Sequence, residues 1–421
     1  MTGYRREIIL FTITGVTVMA ILGIFGQAYT LRMLVEAGCF AIIALGLTIQ
    51  WGYAGLFNAG IMGFVAVGGF MTMFLSFPVN DSFWQSDAPR SLALFALLVA
   101  MIVLVLIGLG QMHRIGVSQR LKTAVILIAL VIAFFIFNSQ LDPIARMIET
   151  EAGFIGGLGL PVLAGWIMGG IAAAFVAYWI GKACLGLRSD YLAIATLGFA
   201  EIIKHILKNA DWLTRGTLTV SPLPWPVPTP NDLGFVAARA AYLSLTAVLV
   251  GVIFILLQRA YRAPWGRMMR AIRDNDIAAA AMGKDVNFRR LEIFVLGSGL
   301  IGFGGAALVT FNRIFDPSGF TPLKHTFLIW VMVLLGGAGN NAGAVFGAIA
   351  VYIIWVMSEP LTLLVFDYAA QYGSLLFGWE PPADLTARAL QSRVFVIGLT
   401  ITLTLRFAPQ GLLPERRVRI S

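Results

Sequence analysis

The alternation of apolar and polar positions divides the chain into long hydrophobic runs separated by short polar ones. A helix crosses a bilayer with about 20 apolar residues. By that length, runs fall near 8–28, 33–51, 60–77, 91–110, 122–138, 161–181, 191–209, 240–258, 291–311, 326–341, 342–358 and 393–407. The pattern is least regular in 191–209, which charge interrupts, and in 326–358, which Gly336, Gly337, Gly339, Asn340 and Asn341 divide. The expected fold class is all-α: a single polytopic transmembrane bundle over 1–421 with about 10–12 spans.

The longest polar interruption is 259–290. It holds eight Arg or Lys against three Asp. Basic flanks resist translocation, so this loop should stay on the cytoplasmic side. From Met268 to Met282 it has neither Pro nor Gly and is rich in Ala, which carries almost no helix cost. Asp274 and Asp276 favour a helix start and Gly283 a helix end. The pattern predicts one short helix outside the bilayer.

Composition agrees with the pattern. The chain has 421 residues, 59% hydrophobic and 12% charged, against about 25% charged in soluble domains. The 45 glycines suit helices that pack closely in lipid. The net charge of +9 lies mostly in loops and tails, where topology and the anionic leaflet account for it without nucleic acid. Arg5/Arg6, Arg114/Arg120/Lys122, Lys182/Arg188, the 259–290 loop and Arg416/Arg417/Arg419 fall on one side of a twelve-span count. Both termini are therefore expected in the cytoplasm. The run after Arg5 and Arg6 resembles a signal peptide, but a second apolar run follows at once, and an uncleaved first span is expected.

Candidate chemistry is sparse. Two Cys and three His in separate places form no disulfide framework and no metal site. No phosphate-binding Gly-x-x-x-x-Gly-Lys-[Ser/Thr] loop occurs and no catalytic constellation is visible, so the chain is not expected to be an enzyme, and if ATP supplies energy another chain must bind it. Gly52, Gly55 and Gly60 with Asn58 interrupt an apolar run, which reads either as part of a substrate path or as a tight turn between spans. Ser298, Gly302 and Ala306, and Gly339, Gly343 and Gly347, recur every fourth residue, spacing that lets helix backbones approach. Glu201, with Lys204 and His205 at helical spacing, reads as an intramembrane functional group or as a pair satisfied within the bundle. Glu36, near the end of its span, is read as interfacial. The Pro-rich stretch 221–230 is extended by composition, serving as a stiff linker or as a docking surface.

Four separated stretches resemble permease subunits of branched-chain amino acid ABC importers: the loop from Gly266 and Arg267 through Ala271, Arg273, Asp274 and Asp276 to Gly283; residues 187–203; the glycine turn 334–339; and the C-terminal 406–414. With 45–69, the resemblance covers roughly 30–75 and 161–415. It implies a type I-like importer permease of a bacterial inner membrane, with a cytoplasmic coupling helix. Gly266, Arg267, Ala271, Arg273, Asp274, Asp276, Ala278, Ala279 and Gly283 would couple it to an ATP-binding subunit, and Ile277 stands where such a helix usually carries Glu. Gly55, Asn58, Gly60 and Glu201 are the candidate path residues. Implied partners are two ATP-binding subunits, a second homologous permease, a periplasmic substrate-binding protein and membrane lipid. No cofactor is expected on this chain, ATP and Mg lying on partner subunits. Residues 86–150 look like an extra two-span insertion. The alternatives are a permease for urea or short-chain amides, and an ion-coupled secondary transporter using Glu201, Lys204 and His205 as relay.

Overall fold

The computed structural model describes residues 2–111, 118–377 and 385–415. Among them the regular structure is helical. In chain order come α1 (Thr2–Phe25), α2 (Gln27–Thr48) with a π-helical turn (Ile49–Tyr53), α3 (Ile61–Ser76), α4 (Asp81–Gln85), α5 (Ala88–Gly110), α6 (Gln119–Glu151), α7 (Val162–Cys184), α8 (Ser189–Asn209) and α9 (Asp211–Thr214). There follow α10 (Pro230–Leu233), α11 (Phe235–Arg262), α12 (Pro264–Asp274), α13 (Asp276–Ala281), α14 (Val286–Asn312), a π-helical turn (Leu323–Phe327) leading into α15 (Leu328–Gly336), α16 (Asn341–Phe377) and α17 (Leu385–Phe407). A helix occupies every stretch expected to span, and among the described residues eight helices are long and apolar enough to cross a membrane alone.

The centre of the bundle is α14, packed against α7, α3 and α2. Small residues allow this. A Cβ at Gly302 would collide with Ala173, one at Gly68 with the Gly302 carbonyl, and one at Gly304 would lie 2.6 Å from Ile43. The four-residue spacing therefore marks contacts inside the chain, and Gly336 against Gly343 repeats the device between α15 and α16. Buried aromatic tips are satisfied: Trp166 Nε1 donates to Thr310 Oγ1 at 3.0 Å and Tyr242 OH to the Ala307 carbonyl at 2.8 Å.

Two apolar helices are too short to span alone. The break at 55–60 precedes α3, and residues 313–322 precede the turn into α15. Their starts meet inside the protein, where Met62 N donates to Thr326 Oγ1 at 3.1 Å. Irregular backbone at such depth persists because protein, not lipid, surrounds it.

Three expectations need correction. The loop helix is two helices, because Asn275 is extended (φ −157°, ψ 101°) and its side chain caps Ala278 N at 2.9 Å, restarting the helix as α13. Glu36 is not interfacial but 5% exposed, since Arg32 lies 3.1 Å away and Tyr352 donates to its other oxygen. The helix expected to end at 358 continues through Pro360 to Phe377, with Glu359 paired to Arg393 of α17. The Pro-rich stretch is non-helical as far as Pro228, and Val220 bridges to Phe315.

Glu7 of α1 lines one cavity with Tyr261, Arg270 and Gly339, and Glu415 contacts Arg273. The start of α1, the 263–285 loop and the last described residues therefore share one end of the bundle. Of the expected basic positions, Arg114 and Arg416, Arg417 and Arg419 lie outside the described residues.

Candidate coupling site

At that end the chain leaves α11 through extended Ala263 and enters α12 with Pro264 at its first position, where a missing N–H costs nothing. The helix is amphipathic. Gly266, Met269 and Ile272 are buried at three-residue spacing, while Arg267 and Ala271 face out. Gly266 sits where a Cβ would run into the Tyr261 carbonyl. In α13, Ala279 is buried and Ala278 exposed, and Asp276 pairs with Arg290 at 3.0 Å, tying the loop to the start of α14. Gly283 closes this segment at φ +77°, a conformation that excludes most side chains. Ile277 and Met282 are each 80% exposed at the tip among the described residues.

Arg273 is the junction. Its Nη1 donates to the Gly52 carbonyl, its Nη2 lies 2.9 Å from Glu415 Oε2, and its Nε lies 3.1 Å from Asp274. One guanidinium thus joins the loop, the π turn that ends α2, and the C-terminal segment. Its burial opposes the charged form, but Glu415, followed by Asp274, outweighs that and raises its pKa. Tyr261 OH donates to Glu415 Oε1 at 2.7 Å, and the Arg270 guanidinium lies 4.3 Å from the Tyr261 ring centre. Leu412 N and Leu413 N donate to the carbonyls of Leu335 and Gly336, which docks the C-terminal segment on the late glycine turn.

The π turn opens into the break. Gly55 adopts φ +67°, and a Cβ there would lie 3.2 Å from Arg273 Cγ. Gln50 Nε2 donates to the Phe294 carbonyl and to Ser298 Oγ, both at 2.9 Å. Asn58 Nδ2 donates to Gln50 Oε1 at 2.8 Å, and Asn58 Oδ1 accepts from Gly60 N at 2.8 Å. Trp330 Nε1 donates to the Asn58 carbonyl at 3.0 Å, and Thr196 Oγ1 accepts from Ala59 N at 3.1 Å. Each of these groups is satisfied, as a buried polar network must be.

The structure therefore brings the loop residue Arg273 against Gly52 and Gly55, with Asn58 and Gly60 next in the same break. Glu201 is elsewhere. Its partners, Lys204 at 3.5 Å and His205 at 4.0 Å, lie on its own helix, and its side chain is 35% exposed. Sequence reasoning passed over Gln50, Thr196, Trp330 and Glu415. A polar Gln inside an apolar run was the available signal for the first.

A family profile described as branched-chain amino acid transport system, permease component, matches residues 29–379. A probable branched-chain amino acid transport permease protein, LivM, of Methanocaldococcus jannaschii is 23% identical over 393 residues, covering 90% of this chain and 92% of that one. The high-affinity branched-chain amino acid transport system permease protein LivM of Escherichia coli strain K12 is 27% identical over 272 residues, 60% of this chain and 57% of that one. The xylose transport system permease protein XylH of the same strain is 30% identical over 206 residues, 46% of each. No solved structure matches the chain.

Proposed function

Because this chain belongs to the branched-chain amino acid transport permease family, we propose that its 263–285 loop docks an ATP-binding subunit and that Arg273 carries the resulting motion into the bundle. The chain is the membrane subunit of an ABC importer and spans the membrane several times. Its ligand in this reading is leucine, isoleucine, valine or a related small amino acid, delivered by a periplasmic binding protein. The loop end faces the cytoplasm of a bacterial inner membrane, with both termini on that side. ATP and Mg are held by two partner subunits, and this chain carries no cofactor.

The observation behind this reading is the three-way contact of Arg273. A displacement of α12 acts on the Gly52 carbonyl through a charge-assisted hydrogen bond, a class worth about 1.5–3 kcal/mol. Gly52 belongs to a π turn, a local irregularity that often accompanies function. The exposed Ile277 and Met282 supply an apolar tip for the partner's groove.

A second homologous permease completes the path. Glu201 lies about 18 Å along α8 from Ser189, near mid-bilayer for a helix that crosses upright. Charged groups at that depth face protein or water rather than lipid, so the Glu201–Lys204–His205 face is assigned to the partner permease and the path. The ion-relay alternative is not favoured, since the family is one of ABC permeases, and a urea or amide ligand is not favoured either.

The test is a single-cysteine cross-link from Ile277→Cys in the assembled complex. Capture of the ATP-binding subunit is the expected result. Capture of the binding protein instead would place this loop on the wrong side and end the proposal.

A further inference from the structure

At the end of the bundle remote from Arg273, α2, α16, α17 and the turn before α15 line a half-open cavity of about 260 Å³. Arg32 and Glu36 lie about 8 and 14 Å along α2 from its first residue, Gln27, within the half of the helix away from the coupling loop. Three cations (Arg32, Lys324 and Arg393) and two carboxylates (Glu36 and Glu359) line it. Lipid is a poor occupant for such a wall.

The charges are arranged unequally. Glu36, 5% exposed, is held by Arg32 and by the Tyr352 hydroxyl, and Glu359 is paired with Arg393. Arg393 also lies over Trp355, 5.2 Å from the ring centre. Lys324 is in no ion pair among the described residues, so the cavity carries one cation beyond its internal pairs. Met33, Trp355 and Val356 provide an apolar wall beside these groups. Both signs of charge next to an apolar surface match one chemical class, an α-amino acid with an apolar side chain. A carboxylate would meet Lys324 and the terminal nitrogens of Arg32, an ammonium Glu36 or Glu359, and the side chain Trp355 and Val356.

We infer that this cavity is a binding site for the zwitterionic head and apolar side chain of an amino acid, at the end where the ligand would enter. The inference rests on the amino-acid reading above and adds the groups that recognise the ligand.

The test uses the full chain in lipid nanodiscs, with Val356→Cys as a labelling probe. The native Cys39 and Cys184 are buried, and the unsubstituted chain serves as the blank. L-leucine at about ten times a millimolar Kd should slow labelling about tenfold. Isoamylamine and 4-methylpentanoate, each lacking one charge, should not. Lys324→Gln should abolish protection and Lys324→Arg restore it, a pattern that a purely structural lysine would not give. Equal protection by all three compounds would reduce the site to an apolar groove. No protection by leucine, in a chain whose assembled complex still imports leucine, would overturn the inference alone. A complex that imports no branched-chain amino acid would instead overturn the functional reading, and protection in the isolated chain would still report on the cavity.

Discussion

The helices at the centre of this bundle and the α5–α6 hairpin follow opposite rules. In the most apolar stretches of α2 and α14, 89% and 72% of residues are buried, and in those of α5 and α6 none is. Yet the hairpin helices are the more apolar of the two pairs. In water that order would be reversed. In lipid, apolar side chains gain nothing by leaving the surface, so buried positions go to residues that let backbones touch or that complete polar networks. Gly302 against Ala173 and Gly68, and Gln50 with Ser298 and Asn58, are of this kind. The hairpin has neither, and a Cβ at Gly108 or Gly110 would meet nothing within 4 Å. It joins the bundle at one end, through Phe83, Ala88, Ile148 and Ile155.

The comparison can be broken at its strong end first. Gly302→Leu should cost more than about 4 kcal/mol, because backbone rather than a flexible side chain must give way. The expected readout is loss of membrane-inserted, detergent-stable protein, and normal yield would refute the packing described for α14. Gln50→Leu leaves Asn58 and Ser298 short of a partner and should lower stability by about 2 kcal/mol, read as an earlier thermal transition in detergent. Ile277→Asp should leave that transition in place but weaken capture of the ATP-binding subunit about tenfold, or about 1.4 kcal/mol. Replacing 86–150 by a short flexible linker should change leucine uptake by less than about twofold. Asn80 Nδ2 already donates to the carbonyls of Ala152 and Phe154, so the two ends of that stretch are held together. Smallest of all, Gly108→Leu should stay within about 0.5 kcal/mol of the parent. A large effect there would mean that another protein, not lipid, covers the hairpin.

The same contrast explains what could be read from the sequence. Apolar run length located the helices, and small-residue spacing located the contacts of Gly302 and Gly343, because both signals are local. The split of the loop helix at Asn275 was less visible, since alanines on both sides argue for continuity. Glu36 was misjudged because its burial depends on Tyr352, 316 residues away. The Arg273 junction was legible only in halves. The loop and the break each stood out, but nothing in either stretch says that the guanidinium reaches Gly52, 221 residues earlier, or that Glu415 closes the contact from the far end of the chain. Glu201 stood out as an intramembrane charge, yet its partners sit on the same helix and do not bring it to the break.

The central claim is that Arg273 transmits motion rather than merely helping the loop fold. The most direct test is leucine uptake and ATP hydrolysis measured together on the complete importer carrying Arg273→Gln. The account predicts uptake reduced at least about tenfold, the equivalent of one lost charge-assisted hydrogen bond, with hydrolysis by the docked subunits retained. Uptake equal to that of the parent, or uptake and hydrolysis falling in parallel, would contradict it.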